Sequence, residues 1–199
     1  MTGGRKTARI SKQIVCVCGM AGSGKSTLAR KLADKYGLKY YSGGDTLKAL
    51  AMIDGFENVE RGWWESEEGL RFLEKRGVDL EFDRAIDDKL LELAQEGNVI
   101  LDSWTMPWLL NQGFKIWLEA SPEKRAERVA KRDSISVAEA LEALKKKESH
   151  TRDIYRELYG FTLGEDYAPF QLILDTENLE AEEVFGVLCM VMDNYLLKK

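Results

Sequence analysis

The chain has 199 residues, of which 44% are hydrophobic and 32% charged, with 29 basic against 34 acidic side chains. This length predicts one domain with a core large enough to need no disulfides, and three cysteines favour a reduced, cytoplasmic protein over a secreted one. A net charge of −5 argues against stable nucleic-acid binding, and a single histidine, His150, excludes histidine-rich metal sites.

The first twelve residues carry four basic side chains and lack the apolar segment of a signal peptide. We therefore predict a disordered basic tail at residues 1–12 and a single domain at residues 13–199. No run of about 18 apolar residues is present, so we expect no transmembrane helix and no membrane partner.

Short apolar runs alternate with segments of helical periodicity along the chain. Strands are predicted at residues 13–18, 39–42, 98–102, 114–118 and 171–175. Helices are predicted at residues 26–35, 45–51, 79–95, 122–132, 137–159 and 180–197, and residues 52–77 form a charged stretch around two tryptophans. This alternation predicts an α/β fold whose parallel sheet is covered by helices on both faces, with Cys16, Cys18 and Cys189 as core residues. Such sheets bind ligands at the carboxyl ends of their strands.

A glycine-rich segment lies between the first predicted strand and the first predicted helix. Residues 19–26 read Gly-Met-Ala-Gly-Ser-Gly-Lys-Ser and match the pattern G-x-x-x-x-G-K-[ST]. The glycines let the backbone wrap around phosphate oxygens, while inward N–H groups and the helix N-terminus attract the anion. We predict that this segment binds ATP and Mg²⁺, with Lys25 at the β- and γ-phosphates and Ser26 at the metal. The predicted nucleotide-binding residues are Gly19, Ala21, Gly22, Ser23, Gly24, Lys25, Ser26 and Thr27.

Further motifs resemble a known family. Besides Lys25, they are the segment Tyr41-Ser42-Gly43-Gly44, the strand ending at Asp102, the run 115–132, Glu148-Ser149 and Tyr159-Gly160-Phe161. From about residue 13 to the last helix the chain resembles the nucleoside monophosphate kinases and, among them, the short archaeal-type cytidylate kinases. The resemblance implies a P-loop three-layer fold with a five-stranded parallel sheet, an acceptor-binding lobe at about 43–97 and a LID lobe at about 128–160. It also implies transfer of the ATP γ-phosphoryl group to a nucleoside monophosphate, CMP or dCMP.

The resemblance assigns roles to single residues. Asp102 would support Mg²⁺ together with Ser26, although a carboxylate that caps a turn fits the same place. Arg128 and Arg132 share one helix face and would cover the donor base and its phosphates, while Arg125 is expected as a salt-bridged surface residue. Arg152 and Arg156 repeat the spacing as LID arginines, which an ordinary solvated helix face would also explain. With Lys25, the arginines 128, 132, 152 and 156 form the predicted catalytic set.

The acceptor site departs from the family pattern. Lys48 and Trp104 stand where the family has arginines that hold the acceptor's phosphate, and Trp104 fits either a base-stacking role or a place in the core. The predicted acceptor-binding residues are Ser42, Gly44, Lys48, Arg71 and Trp104, with Arg61 and Arg84 as further basic candidates. Two alternatives stay open: a kinase for a different small acceptor, and an ATP-binding regulatory module without catalysis. As partners we expect ATP and a small phosphorylated acceptor, and we expect a monomer, with a dimer as the alternative.

Overall fold

The computed structural model describes residues 12–57 and 62–197, so the predicted tail up to residue 11 and Arg61 lie outside the described residues. The strands are β1 Ile14–Cys18, β2 Lys39–Ser42, β3 Val99–Asp102, β4 Phe114–Glu119 and β5 Leu172–Asp175. The α-helices are α1 Lys25–Tyr36, α2 Gly43–Ile53, α3 Glu67–Val78, α4 Glu81–Glu96, α5 Met106–Leu109, α6 Pro122–Asp133, α7 Val137–Tyr159 and α8 Ala181–Leu197. One turn of 3-10 helix covers Trp63–Glu65.

All five strands are parallel and lie in the order β2-β3-β1-β4-β5. This confirms the predicted α/β P-loop fold with a five-stranded parallel sheet. Asp102, at the end of β3, is in register with Val17 on one side and Ser42 on the other. The carboxyl ends of the three strands therefore meet at one edge, where the predicted ligand site lies.

The core forms on both faces of the sheet because successive strand residues point to opposite sides. Ile14 and Cys16 pack towards α2 and α4, whereas Val15 and Val17 pack towards α1 and α8. All three cysteines are buried, as predicted. Burial raises the pKa of Cys16 to about 12, so its thiol stays protonated and acts as a packing group.

The segment between β2 and β3 holds more helix than its sequence predicts. Residues 52–77 include the 3-10 turn and all but the last residue of α3, whose start has a clear chemical signal. Ser66 accepts a hydrogen bond from the Gly69 N–H, and acidic residues occupy the first turn while Lys75 and Arg76 occupy the last. These charges complement the helix dipole. The sequence does not predict α3, because Gly69 and Gly77 have low helix propensity and interrupt the helical pattern.

The prediction that Arg125 lies on the surface is wrong, because its side chain is buried. It lies on the inner face of α6, where this helix packs against α7. Its guanidinium pairs there with Glu148, which is also buried, so the expected salt bridge exists in a different environment. Among the described residues, no helix is long and apolar enough to cross a membrane.

Candidate active site

The phosphate loop, residues 19–26, has a backbone that admits only glycine at key positions. Gly19 has a φ of 149°, and a Cβ there would lie 2.5 Å from the Leu118 carbonyl oxygen. Gly22 has a φ of 83°, and its Cβ would lie 2.7 Å from the carbonyl oxygen of Arg125. Side chains at these positions would both strain the backbone and collide with neighbouring main chain. The loop is therefore held in a shape that a phosphate-binding motif requires.

Arg125 of α6 is hydrogen-bonded to the backbone of this loop. One of its nitrogens, Nη1, donates to the Ala21 carbonyl at 2.9 Å, and Nε donates to the Ala120 carbonyl at 3.1 Å. Glu148 of α7 neutralises the guanidinium, so the buried charge has partners on three elements. This arrangement ties the loop to α6 and α7 at once.

The loop has the features that a phosphate and a magnesium ion need. Ser23 Oγ is buried and has no hydrogen-bond partner in the described part of the chain, as expected of a group that awaits a ligand oxygen. Ser26 and the buried Asp102 line the same cavity, and hydroxyl and carboxylate oxygens are ligands that Mg²⁺ prefers. Tyr40 donates to Asp102 Oδ2 at 2.9 Å, and burial, together with the Asp102 charge, raises the pKa of Tyr40 to about 12. The residues present therefore fit both ATP phosphates and Mg²⁺.

Two cavities flank the phosphate loop. The first cavity, of about 290 Å³, is close in volume to the smallest ligand pockets of proteins, at roughly 300 Å³. Its wall comprises Ala21, Gly22, Lys25, Ser26, Ser42, Gly43, Gly44, Asp45, Leu47, Trp64, Arg76, Asp83, Ile86, Asp87, Asp102, Ser103, Trp104, Thr105, Arg132, Lys147 and Tyr155. The loop thus meets residues of α2, α3, α4, α6 and α7 around one space.

The second cavity, of about 330 Å³, lies on the other side of the loop. Ser23 and Gly24 of the loop line it together with Thr27 of α1, and Leu28, Leu179, Ala181 and Val184 contribute apolar surface. Arg128 borders it and donates to the Thr176 carbonyl at 2.6 Å and to the Thr176 hydroxyl at 3.1 Å. An apolar slot that opens beside phosphate-binding backbone suits a nucleotide base.

A buried charge network forms one wall of the first cavity. Arg76 Nε and Nη2 donate to the two Asp83 oxygens at 2.9 and 2.5 Å, and both side chains are 2% exposed. Asp87, one helical turn further along α4, accepts hydrogen bonds from the Thr105 hydroxyl and, at 2.7 Å, from the Tyr159 hydroxyl. Burial raises the pKa of Asp87 to about 6, against the effect of these two hydrogen bonds. Charges this deeply buried in a cavity wall are characteristic of a recognition site.

Trp104 lines the first cavity and contacts the phosphate loop. Its indole Nε1 donates to the Gly19 carbonyl at 2.6 Å, which fixes the ring to the start of the phosphate loop. The Lys25 ammonium lies 5.4 Å from the centroid of this ring. Trp104 therefore belongs to the site and not only to the core.

The predicted catalytic and acceptor-binding residues divide into three groups. Ser42, Gly44, Trp104 and Arg132 line the first cavity, together with Lys25, and Arg128 lines the second. Four basic residues line neither: Lys48 lies 6.0 Å from the centre of the Trp63 ring, Arg71 and Arg156 form exposed ion pairs with Glu68 and Asp153, and Arg152 donates to the Leu163 carbonyl. Arg84, the further candidate, pairs with Glu81 on the surface.

Several cavity residues escaped the sequence prediction, above all Arg76, Asp83, Asp87 and Lys147. A signal for the two aspartates was present: they share the face of α4 that carries Ile86 and Leu90. Two carboxylates on an apolar helix face indicate buried charges that need partners. For Arg76 and Lys147 no comparable signal exists, since each is one of several basic residues in a charged stretch.

Comparison with known proteins agrees with this geometry. The model of the cytidylate kinase-like family matches residues 14–178. Two proteins named cytidylate kinase, from Pyrococcus horikoshii and Pyrococcus abyssi, are 35% and 36% identical to this chain. The matches cover 92% and 91% of this chain and 90% and 94% of the relatives. A shikimate kinase from Bacteroides thetaiotaomicron superposes with a TM-score of 0.57 at 15% identity, over 92% of this chain and 99% of that one, which shows a shared fold.

Proposed function

The chain belongs to the cytidylate kinase-like family, and we propose that it transfers the γ-phosphoryl group of ATP to CMP or dCMP. That it is an ATP-dependent nucleoside monophosphate kinase follows from the family. The choice of a cytosine nucleotide rests on one observation, the buried group of Arg76, Asp83 and Asp87 in the wall of the first cavity.

This buried group matches the hydrogen-bonding edge of cytosine. Cytosine presents an amino donor beside ring nitrogen and carbonyl acceptors, and the wall offers carboxylate acceptors beside guanidinium donors. Asp83 takes up two of the Arg76 donors, and the others are left for the Tyr155 hydroxyl and a ligand. Uracil has a carbonyl oxygen in place of the amino group, which would face a carboxylate without a proton between them. The site therefore supports cytosine over uracil.

The two cavities support an assignment of donor and acceptor. The base of ATP would occupy the second cavity beside Leu28, Leu179 and Arg128, and its phosphates would lie on the loop between the cavities. The acceptor would fill the first cavity, with its base at Arg76. Lys25 borders the first cavity on the loop side, where the transferred group would carry its charge.

The reaction needs charge neutralisation more than proton transfer. An oxygen of the acceptor's phosphate bonds to the γ-phosphorus of ATP as the bond to the ADP oxygen breaks, and the products are ADP and CDP. A phosphate dianion attacks without losing a proton, so no general base is required, in keeping with the exposed position of His150. Lys25 and the loop N–H groups stabilise the charge on the transferred group, and Ser26 and Asp102 would hold Mg²⁺, which supplies further neutralisation when bound.

The test is ADP formation with CMP, dCMP, UMP and AMP as acceptors. CMP or dCMP should give the highest kcat/KM, with UMP lower by roughly 100-fold or more, because a carbonyl oxygen opposite a buried carboxylate is costly. Comparable rates with UMP or AMP would overturn the cytosine assignment, and stimulation by no nucleotide would favour a different acceptor or a regulatory module.

Lys25→Ala serves as the catalytic control in this assay. It should lower kcat roughly 100- to 1,000-fold, since Lys25 acts on charge that develops in the transition state. Lys35→Ala is the matched variant on the same helix: it is exposed, lines neither cavity and should keep wild-type activity.

A further inference from the structure

Lys147 brings a positive charge from α7 into the first cavity. Its ammonium lies 4.3 Å from the centroid of the Trp64 ring and 5.6 Å from that of Trp104, and the side chain lines the cavity. Two indole rings from separate parts of the chain therefore hold one lysine. Such contacts are attractive and restrict the long side chain.

The position of Lys147 relative to the phosphate loop is set by Trp104. Lys25 and Lys147 both lie within 6 Å of the centroid of this one ring, at 5.4 and 5.6 Å. The ring is in turn hydrogen-bonded to the Gly19 carbonyl. Two ammonium groups beside one ring attached to the loop create a positive region at the loop end of the first cavity.

The other basic groups in the first cavity have different tasks. The Arg76 guanidinium donates to Asp83 through Nε and Nη2, and it belongs to the base-binding wall, the buried group of Arg76, Asp83 and Asp87 that we propose binds the acceptor's base. Arg132 is 57% exposed and pairs with Asp133 at the rim, and Lys25 belongs to the phosphate loop. Among the described residues of the cavity wall, Lys147 is thus the half-buried basic group that belongs to neither the loop nor the base-binding wall.

We propose that Lys147, held between Trp64 and Trp104, binds the phosphate of the acceptor nucleotide. This inference rests on the proposed function, since it requires an acceptor with a phosphate in the first cavity. The ammonium would place the acceptor's phosphate next to the group that Lys25 stabilises. Because Lys147 is on α7 and the rings are on the 3-10 turn and the segment after β3, one bound phosphate would also join these three elements.

The experiment replaces Lys147 with methionine, which keeps the length and the ring contacts but removes the charge. Loss of a charged hydrogen bond to phosphate should raise the KM for CMP roughly 10- to 100-fold while the KM for ATP stays within about threefold. Inhibition by cytidine, which lacks the phosphate, should be unchanged. Lys147→Arg restores the charge and should recover most of the CMP affinity.

Lys146→Met is the matched control, because Lys146 is the preceding residue of α7, is exposed and pairs with Glu142. It should behave like the wild type, and melting temperatures of all variants report on folding. An unchanged KM for CMP in Lys147→Met, or equal weakening of CMP and cytidine, would overturn the assignment. A loss confined to kcat would place Lys147 at the transferred group instead and would also overturn it. Absence of CMP phosphorylation by the wild type would be a failure of the proposed function itself.

Discussion

The first and second cavities lie on either side of one loop, yet they use charge in different ways. In the first cavity, Arg76, Asp83, Asp87 and Asp102 are buried. The charged residues that border the second cavity in the described chain are all at least partly exposed: Lys124, Glu127, Arg128, Lys131 and Glu180. Buried charges demand a partner of matching chemistry, whereas exposed ones are screened by water and discriminate weakly. The difference indicates that the first cavity, where we propose that the acceptor binds, is the more selective of the two.

The largest expected effect comes from removing the buried ion pair of the first cavity. Arg76→Met combined with Asp83→Leu should lower kcat/KM for CMP roughly 1,000-fold, since two charged contacts to the base are lost. The KM for ATP should stay within about threefold, because neither residue borders the second cavity. Steady-state kinetics with each substrate varied in turn measures both values.

Stability separates this effect from simple misfolding. An apolar pair of similar volume should keep the free energy of unfolding within about 2 kcal/mol of the wild type, whereas Arg76→Met alone leaves Asp83 unpaired and should cost about 3–5 kcal/mol. Arg71→Ala is the control on α3: its exposed pair with Glu68 lines neither cavity, so CMP kinetics should change less than about threefold. A larger loss with Arg71→Ala would move the acceptor site away from the first cavity.

A smaller effect is expected beside the second cavity, where a substitution should change the KM for ATP and leave the KM for CMP unchanged. Arg128→Ala should raise the KM for ATP roughly tenfold, because Arg128 is half-buried beside the second cavity and one guanidinium contact is lost. The KM for CMP should stay close to the wild-type value. Lys124→Ala, at a charged position of the same helix and cavity border, should have a weaker effect because its exposed pair with Glu127 contributes little. Equal changes in both KM values would contradict the proposal that ATP's base binds in the second cavity and the acceptor in the first.

The smallest effect concerns pH. With its pKa raised to about 6, Asp87 loses much of its charge at pH 5.5, so kcat/KM for CMP should fall roughly fourfold between pH 7.5 and 5.5. CMP's own phosphate also ionises at about pH 6, and Asp87→Asn keeps that contribution while removing the carboxylate. The ratio of wild-type to variant kcat/KM should therefore rise with pH through 6. A ratio independent of pH would exclude Asp87 from base recognition.

The raised pKa of Asp87 also predicts how the free energy of unfolding depends on pH. Because burial raises the Asp87 pKa above its unfolded value, the carboxyl is stabilising when protonated. Its contribution to the free energy of unfolding is complete below about pH 4 and is lost as the pH rises towards about 6. Urea titrations of the wild type and Asp87→Asn between pH 4 and 7 would measure this difference.

Local sequence patterns predict much of the secondary structure correctly. The helix Val137–Tyr159 and the strand Lys39–Ser42 have the bounds that their sequence predicts, and residues 19–26 join β1 to α1 as predicted, with Lys25 and Ser26 as the first two residues of the helix. By contrast, α3 was missed, and Arg125 was placed on the surface although it is buried against Glu148. Helical spacing alone does not show which face of a charged helix meets a neighbour, and α6 has charged residues on both.

The phosphate loop is a property of the sequence itself, because eight consecutive residues contain the glycines, the lysine and the hydroxyl that the site needs. The proposed acceptor site is a property of the tertiary structure. Arg76 meets Asp83 only because α3 and α4 pack together, Asp87 meets Tyr159 across 72 positions, and Lys147 meets Trp64 and Trp104 only in the folded chain. Of these residues, only the two aspartates have a local signal, their place on the apolar face of α4, whereas Arg76 and Lys147 gain their roles from partners that the packing of separate elements supplies.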